Sequence, residues 1–179
     1  PFRSRFPADP YLGEITYMDS ELGRLVEDFE ESAHEREFRA LVVGDHGEGL
    51  GDHGEALHGN LLYQAVMRVP LLLAGTNIHP AVRQDAVSIR QVRATLLQWA
   101  GDSVAGGLLA ATGEPVLGEA MQPFLNYRWQ PQVMAVDGRQ KLIRSGRLEL
   151  YDLAADPGET RDLAGSTSPD RALAKAVAD

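Results

Sequence analysis

Residues 38–59 read FRALVVGDHGEGLGDHGEALHG, and this stretch decides how the rest of the chain is understood. Its first seven residues are mostly apolar and carry the β-branched pair Val42 and Val43 just before Gly44, which predicts a short buried strand from Phe38 to Gly44. Periodicity then stops. Between Asp45 and Gly59 there are three histidines and four acids in fifteen residues, with glycine recurring among them. Glycine lets the backbone turn sharply, so that neighbouring side chains can face one point. Asp45 and His46 stand at the carboxyl end of the strand, and in open α/β sheets ligands bind in the crevice beyond those ends. A carboxylate beside an imidazole can hold a divalent cation: oxygen donors suit Ca²⁺, Mg²⁺ or Mn²⁺, and imidazole moves the preference toward Zn²⁺ or Mn²⁺. The competing reading is a polar surface loop. The density of ligand-type side chains directly after a buried strand favours a site.

On the amino-terminal side, Asp9 reads as a helix cap and Pro10 as the first helical residue. Leu12, Ile15, Met18, Leu22, Leu25, Val26 and Phe29 follow at steps of three and four, which predicts an amphipathic helix to about Ala33. Its acids, Glu14, Glu21, Glu27, Asp28 and Glu31, form a solvated face. On the other side, Val69–Ala74 predicts a second buried strand entered through Pro70, and residues 89–100 a helix stopped by Gly101. Residues 102–113 read as a connection. Beyond it the texture changes to short strands at 116–119, 133–137, 141–144 and 148–153, with turns at Asp137-Gly138 and Ser145-Gly146. A last helix over 169–178 packs on this small sheet. The expected fold class is therefore α/β, in two parts: residues 1–113 belonging to a larger α/β sheet domain, and residues 114–179 forming a small antiparallel sheet with a packed helix.

Composition narrows the function classes. The net charge is −9, from 17 basic and 26 acidic side chains, and no basic stripe is present, so no nucleic-acid partner is expected. No apolar run approaches the roughly 20 residues that span a bilayer. Cysteine is absent, which excludes disulfides and thiolate metal sites in this chain. The chain opens on Pro1 in mid-pattern, which predicts a piece of a longer polypeptide whose missing part leaves a sheet edge open to self-association.

The segment VVGDHGEGLGDHGEALHGNLLYQAVMRVPLLLAG resembles the carboxyl-terminal metal-binding segment of sulfatases, within the alkaline phosphatase superfamily. The resemblance extends outward to YLGEITYMDSELGRLVEDF, to VSIRQVRATLLQWAGD and to LELYDLAADPGETRDLAG, in the family's order. It implies an alkaline-phosphatase-like sheet domain followed by a small carboxyl-terminal subdomain. It implies that Asp45 and His46 complete a divalent-metal site, with Ca²⁺ the family default and Mn²⁺ or Zn²⁺ left open by His46. His58, thirteen residues after Asp45, falls where many sulfatases place a lysine against the sulfate. A histidine there suits a catalytic role, bonding the transferred group or protonating the leaving alcohol. His53 is expected to fix the loop, Glu48 to orient His46 or bond the loop, and Arg68 to form a structural ion pair.

The departures are informative. Arg90, Gln91 and Ala94 stand near positions where the family shows Asp and Pro. The family's nucleophile, a formylglycine made in Cys/Ser-x-Pro-x-Arg, has no counterpart here, since Ser168-Pro169-Asp170-Arg171 lacks the spacing. The family's two amino-terminal aspartates are missing too. The expectation is thus a sulfuric ester hydrolase piece, inactive alone, whose whole acts on a sulfate ester of a small molecule or glycan. The alternatives are a phosphonate or phosphate monoester hydrolase or phosphotransferase of the superfamily, and a non-catalytic binding module with the same fold. The resemblance leans toward a periplasmic or secreted location and leaves a cytoplasmic one open.

Overall fold

The structure is a computed structural model that describes residues 2–33, 36–110 and 113–178. It divides into two compact units, one made of Pro1–Val42 and Leu71–Ala81, the other of Val43–Pro70 and Val82–Asp179.

In the first unit a short helix α1 (Phe2–Arg5) precedes the long helix α2 (Pro10–Ala33). Asp9 caps α2 as expected, its Oδ1 accepting from the Leu12 amide at 3.0 Å. Leu12, Ile15, Met18, Leu25 and Phe29, the predicted apolar stripe, are each about half exposed. A groove of about 560 Å³ runs beside it, lined by Leu22, Leu25, Phe29, Phe38 and Leu41 among others.

Strand β1 (Arg39–Val43) pairs with β2 (Leu71–Gly75), the first helix-strand-strand element of the chain being interrupted by the glycine-rich loop and a single-turn helix α3 (Gln64–Met67). The Gly44 amide donates to the Pro70 carbonyl and the Thr76 amide to the Phe38 carbonyl. That crossed register makes the pair antiparallel. Two expectations shift here. The second strand begins after Pro70, because proline has no N–H to contribute to a ladder. Both strands are only partly buried, as befits a two-stranded ribbon with few neighbours.

The second unit holds the better core. Helix α4 (Gln91–Trp99) leads to β3 (Val116–Ala120), then to helix α5 (Gln122–Tyr127), which the sequence pattern did not announce, then to β4 (Gln132–Asp137), β5 (Gln140–Arg144), β6 (Leu148–Asp152) and α6 (Arg171–Ala176). Thr95 on α4 is buried and its hydroxyl accepts from the Leu108 amide at 2.8 Å, pinning the connection after the helix. The four strands form an antiparallel sheet in sequence order. Alternation along each strand sorts the side chains into two layers. Met134, Val136, Ile143 and Tyr151 face Leu62 and Tyr63. Ala135, Leu142 and Leu150 face Leu173 and Val177 at the end of the chain. Asp170 caps α6 by accepting from the Ala172 amide at 2.9 Å. No helix among the described residues is long and apolar enough to cross a membrane.

One polar knot lies in the first of those layers. Tyr63 and Tyr151 each donate from the phenol to Glu149 Oε2 at 2.7 Å, and Arg147 Nε donates to Oε1 at 3.2 Å. Burial of Glu149 alone would raise its pKa, but the donors outweigh it and hold the carboxyl below its ordinary 4.5. Burial, with the Glu149 carboxylate adding to it, pushes Tyr63 up to about 12. A carboxyl with a depressed folded pKa stabilises the fold in full above its unfolded value. That contribution is lost as pH falls through the lower, folded value. Glu149→Gln is therefore expected to lose about 1.5–3 kcal/mol at neutral pH, the usual worth of a bond to a charged group. The wild-type and variant stabilities should converge as pH drops below 4.5. Urea unfolding between neutral and acid pH checks this, and a constant gap across that range would contradict it.

Candidate metal centre

The loop after β1 is held in shape by backbone approach and by one buried carboxylate. Gly47 and Gly49 are glycines by necessity. A Cβ on Gly47 would sit 2.1 Å from the Ala65 carbonyl oxygen, and one on Gly49 would sit 2.3 Å from that of Glu55. Both glycine amides are used, Gly47 N donating to Val66 O at 2.8 Å and Gly49 N to Leu57 O at 2.6 Å. Glu55 is buried, and its carboxylate accepts from the Asn60 and Leu61 amides at 2.7 and 3.1 Å. It staples the loop from inside. Nothing in the sequence pattern distinguished Glu55 from its solvated neighbours.

The loop holds two pairs, Asp45 with His46 and Glu48 with His58, which touch through the two imidazole rings. Asp45 Oδ2 and His46 Nε2 lie 3.8 Å apart. Two donors that each sit about 2.0–2.6 Å from one cation are separated by roughly 3–4 Å, so the pair fits a shared ion. The other ring nitrogen of His46, Nδ1, is 2.8 Å from the Gly47 carbonyl oxygen. A carbonyl can only accept, so Nδ1 carries the proton and the Nε2 lone pair is left for a metal. Asp45 Oδ1 also accepts from the His46 amide at 3.0 Å, which fixes the carboxylate. The Asp45 side chain is 91% exposed and that of His46 47% exposed, so both groups are open to solvent. Among the described residues no third His, Asp or Glu joins them in a metal-ligating group.

His58 lies against this pair. Its ring lies on that of His46, tilted, with centroids 3.8 Å apart and planes at 30°. Its Nδ1 is 3.3 Å from both carboxylate oxygens of Glu48. Of the two tasks foreseen for Glu48, the structure thus shows it facing His58 and not His46. His53 points elsewhere: its Nε2 meets the Glu159 carbonyl at 3.0 Å and its ring stacks on Tyr63 with centroids 3.6 Å apart. The ion pair expected of Arg68 does not form among the described residues. The residue is exposed and its backbone amide caps α3 on the Gln64 carbonyl. A separate depression of about 600 Å³, lined by Asp137, Arg139, Asp152 and Asp170 among others, shares no residue with this loop.

Set beside known proteins, residues 6–102 match the family model described as Sulfatase. The chain is 28% identical over 169 residues to choline-sulfatase of Rhizobium meliloti (strain 1021), an alignment that takes in 86% of this chain and 32% of the relative. It is 30% identical over 185 residues to the multifunctional alkaline phosphatase superfamily protein PehA of Trinickia caryophylli, covering 87% of this chain and 36% of the relative. Among solved structures it superposes on BT4656, determined in complex with its substrate D-glucosamine-2-N,6-O-disulfate, with a TM-score of 0.68 and 21% identity over 87% of this chain and 36% of the other. The fold is thus mixed α/β and corresponds to part of the sulfatase fold. The chain spans about a third of the length of the curated relatives it matches.

Proposed function

This chain belongs to the sulfatase family, and from that premise we propose that it is the carboxyl-terminal part of a sulfuric ester hydrolase, supplying half of a divalent-metal site. One observation carries the reading: Asp45 Oδ2 and His46 Nε2 stand 3.8 Å apart with the opposite nitrogen of His46 tied to a carbonyl. In this reading residues 1–113 complete the sheet domain and residues 114–179 form the appended subdomain.

Asp45 and His46 hold the cation, Ca²⁺ by family default and Mn²⁺ or Zn²⁺ by the chemistry of an imidazole donor. When bound, the ion polarises an oxygen of the sulfate group. The side chains of this chain do the rest of its share. The Gly47 carbonyl keeps His46 in the tautomer that can ligate. Glu48 accepts from His58 Nδ1–H and so orients the ring, leaving Nε2 to bond the transferred group or to pass a proton to the departing alcohol. The nucleophile, a formylglycine, and two further aspartate ligands come from polypeptide outside residues 1–179.

The substrate class is a sulfate ester of a small molecule or glycan. Support comes from the choline-sulfatase similarity and from the sulfated glucosamine bound by the related fold. A second reading is hydrolysis of phosphonate or phosphate monoesters, and its support is that the 30% identical relative is named a multifunctional member of the alkaline phosphatase superfamily.

Two ligands leave most of a coordination shell to water, so the 179-residue chain should bind metal weakly and turn nothing over. The test is Mn²⁺ titration watched through the imidazole signals of the five histidines. Paramagnetic broadening is expected first at His46 and His58, and Asp45→Ala should raise its midpoint at least tenfold. Equal broadening of all the histidines, or indifference to Asp45→Ala, would remove the site. Measurable hydrolysis of an aryl sulfate by the pure chain would contradict the expectation that it is inactive alone.

A further inference from the structure

Loop 45–64 is gripped from a place far along the chain. Glu159 has a left-handed backbone, φ 52°, and is buried; Lys141, in the middle of β5, is buried completely. Lys141 Nζ lies 2.7 Å from Glu159 Oε1. The second oxygen, Oε2, accepts from the Gln64 amide at 2.5 Å. Gln64 opens α3, whose preceding residue, Tyr63, makes no side-chain cap. Glu159 therefore supplies that cap from 95 residues away. The Glu159 carbonyl takes a third bond, from His53 Nε2 at 3.0 Å. His53 Nδ1 meets the Asp52 carboxylate, so both ring nitrogens face acceptors. Burial of His53 lowers its pKa, but Asp52 and the Glu159 carbonyl outweigh that and raise it above 6.5, which suits a ring that donates twice. One residue thus holds the loop at its middle, through His53, and at its exit, through Gln64.

A buried ion pair is weak evidence for stability, since well-packed apolar residues of similar volume often do as well or better. What this pair provides is direction. Lys141 fixes the carboxylate so that its other oxygen faces the Gln64 amide. We propose that Glu159, locked by Lys141, is a positioning residue that fixes loop 45–64 in the conformation presenting His46 and His58. The purpose assigned to the clamp rests on the metal-site reading, but its contacts do not.

The experiment is hydrogen exchange on the 179-residue chain and two variants, Glu159→Gln and the double variant Lys141→Met/Glu159→Met. The double variant carries no buried charge and guards against a single variant that does not fold. The amides of Gly49, Gly51 and Glu55 are bonded inside the loop, to Leu57, Glu55 and Asp52. They are expected to exchange at least tenfold faster in the folded variants, while those of Leu142 and Ile143 in the sheet change less than twofold. Unchanged loop amides, or equal acceleration of loop and sheet, would overturn the proposal. Mn²⁺ titration of the same samples separates the two ideas. A clamp that positions ligands raises the His46 broadening midpoint tenfold when Glu159 is lost. Absence of any broadening in the wild type would sink the metal reading alone, with the exchange rates still deciding the clamp.

Discussion

In the longer enzyme proposed here, Asp45→Ala lowers kcat/KM by about a thousandfold or more and leaves the fold unchanged. A metal that polarises a reacting oxygen contributes several kcal/mol to the transition state, and each 1.4 kcal/mol or so is a decade in rate. Losing one of the protein ligands from a shell that this chain only half supplies removes most of that. The fold has little stake in the side chain, which is 91% exposed and among the described residues meets only the amide and the ring of the adjacent His46. Turnover of an aryl sulfate by purified variant and wild type, with circular dichroism as the control on folding, measures the effect. Retention of most activity would take Asp45 out of the metal site. Running the same pair against an aryl phosphonate ester tells which ester the site prefers, and a larger kcat/KM for the phosphonate would replace the sulfatase reading by the second one.

The largest effect on stability is expected at the opposite end of the chain. Lys141→Met leaves the Glu159 carboxylate buried without its cation. Breaking a buried pair from one side costs about 3–5 kcal/mol, which is a large share of the roughly 5–15 kcal/mol that holds a domain together. Lys141→Met/Glu159→Met removes both charges and should return most of the loss, to within about 1.5 kcal/mol of wild type, as volume-matched swaps do. Urea midpoints of the four species close the cycle. A single variant as stable as wild type would mean that the pair is reached by water and is no buried pair at all.

Much of the architecture is legible in residue pattern because local chemistry sets it. Asp9-Pro10 and a three-four apolar step place α2, and Asp137-Gly138 places a hairpin between β4 and β5. The end of β1 at Asp45 and His46 is legible for the same reason: the apolar run Ala40–Val43 gives way abruptly to acids, histidines and glycine. What pattern misses is set by distant partners. Helix α5 starts Gln-Pro and then exposes Leu125 and Tyr127, so it offers no amphipathic stripe to read. Glu55 and Glu159 look like solvated acids, and each is buried because backbone amides meet it. Lys141 looks like the polar side of a strand, yet it is the most enclosed charge among the described residues. The role given to Arg68 failed for the converse reason: a cation beside a strand needs an acid opposite it, and none of the described acids is in range.

The alternation along β5 limits where this polypeptide can change length. Lys141 and Ile143 look toward the loop, while Leu142 looks toward α6. Adding one residue in the tight turn at 138–139 would hand Leu142's place to the lysine, and deleting one would hand it Gln140's place; either way the ammonium turns to the face that carries Leu173. Relatives that keep the lock should therefore vary freely in the span between α4 and β3, and keep a constant count from β4 to Lys141.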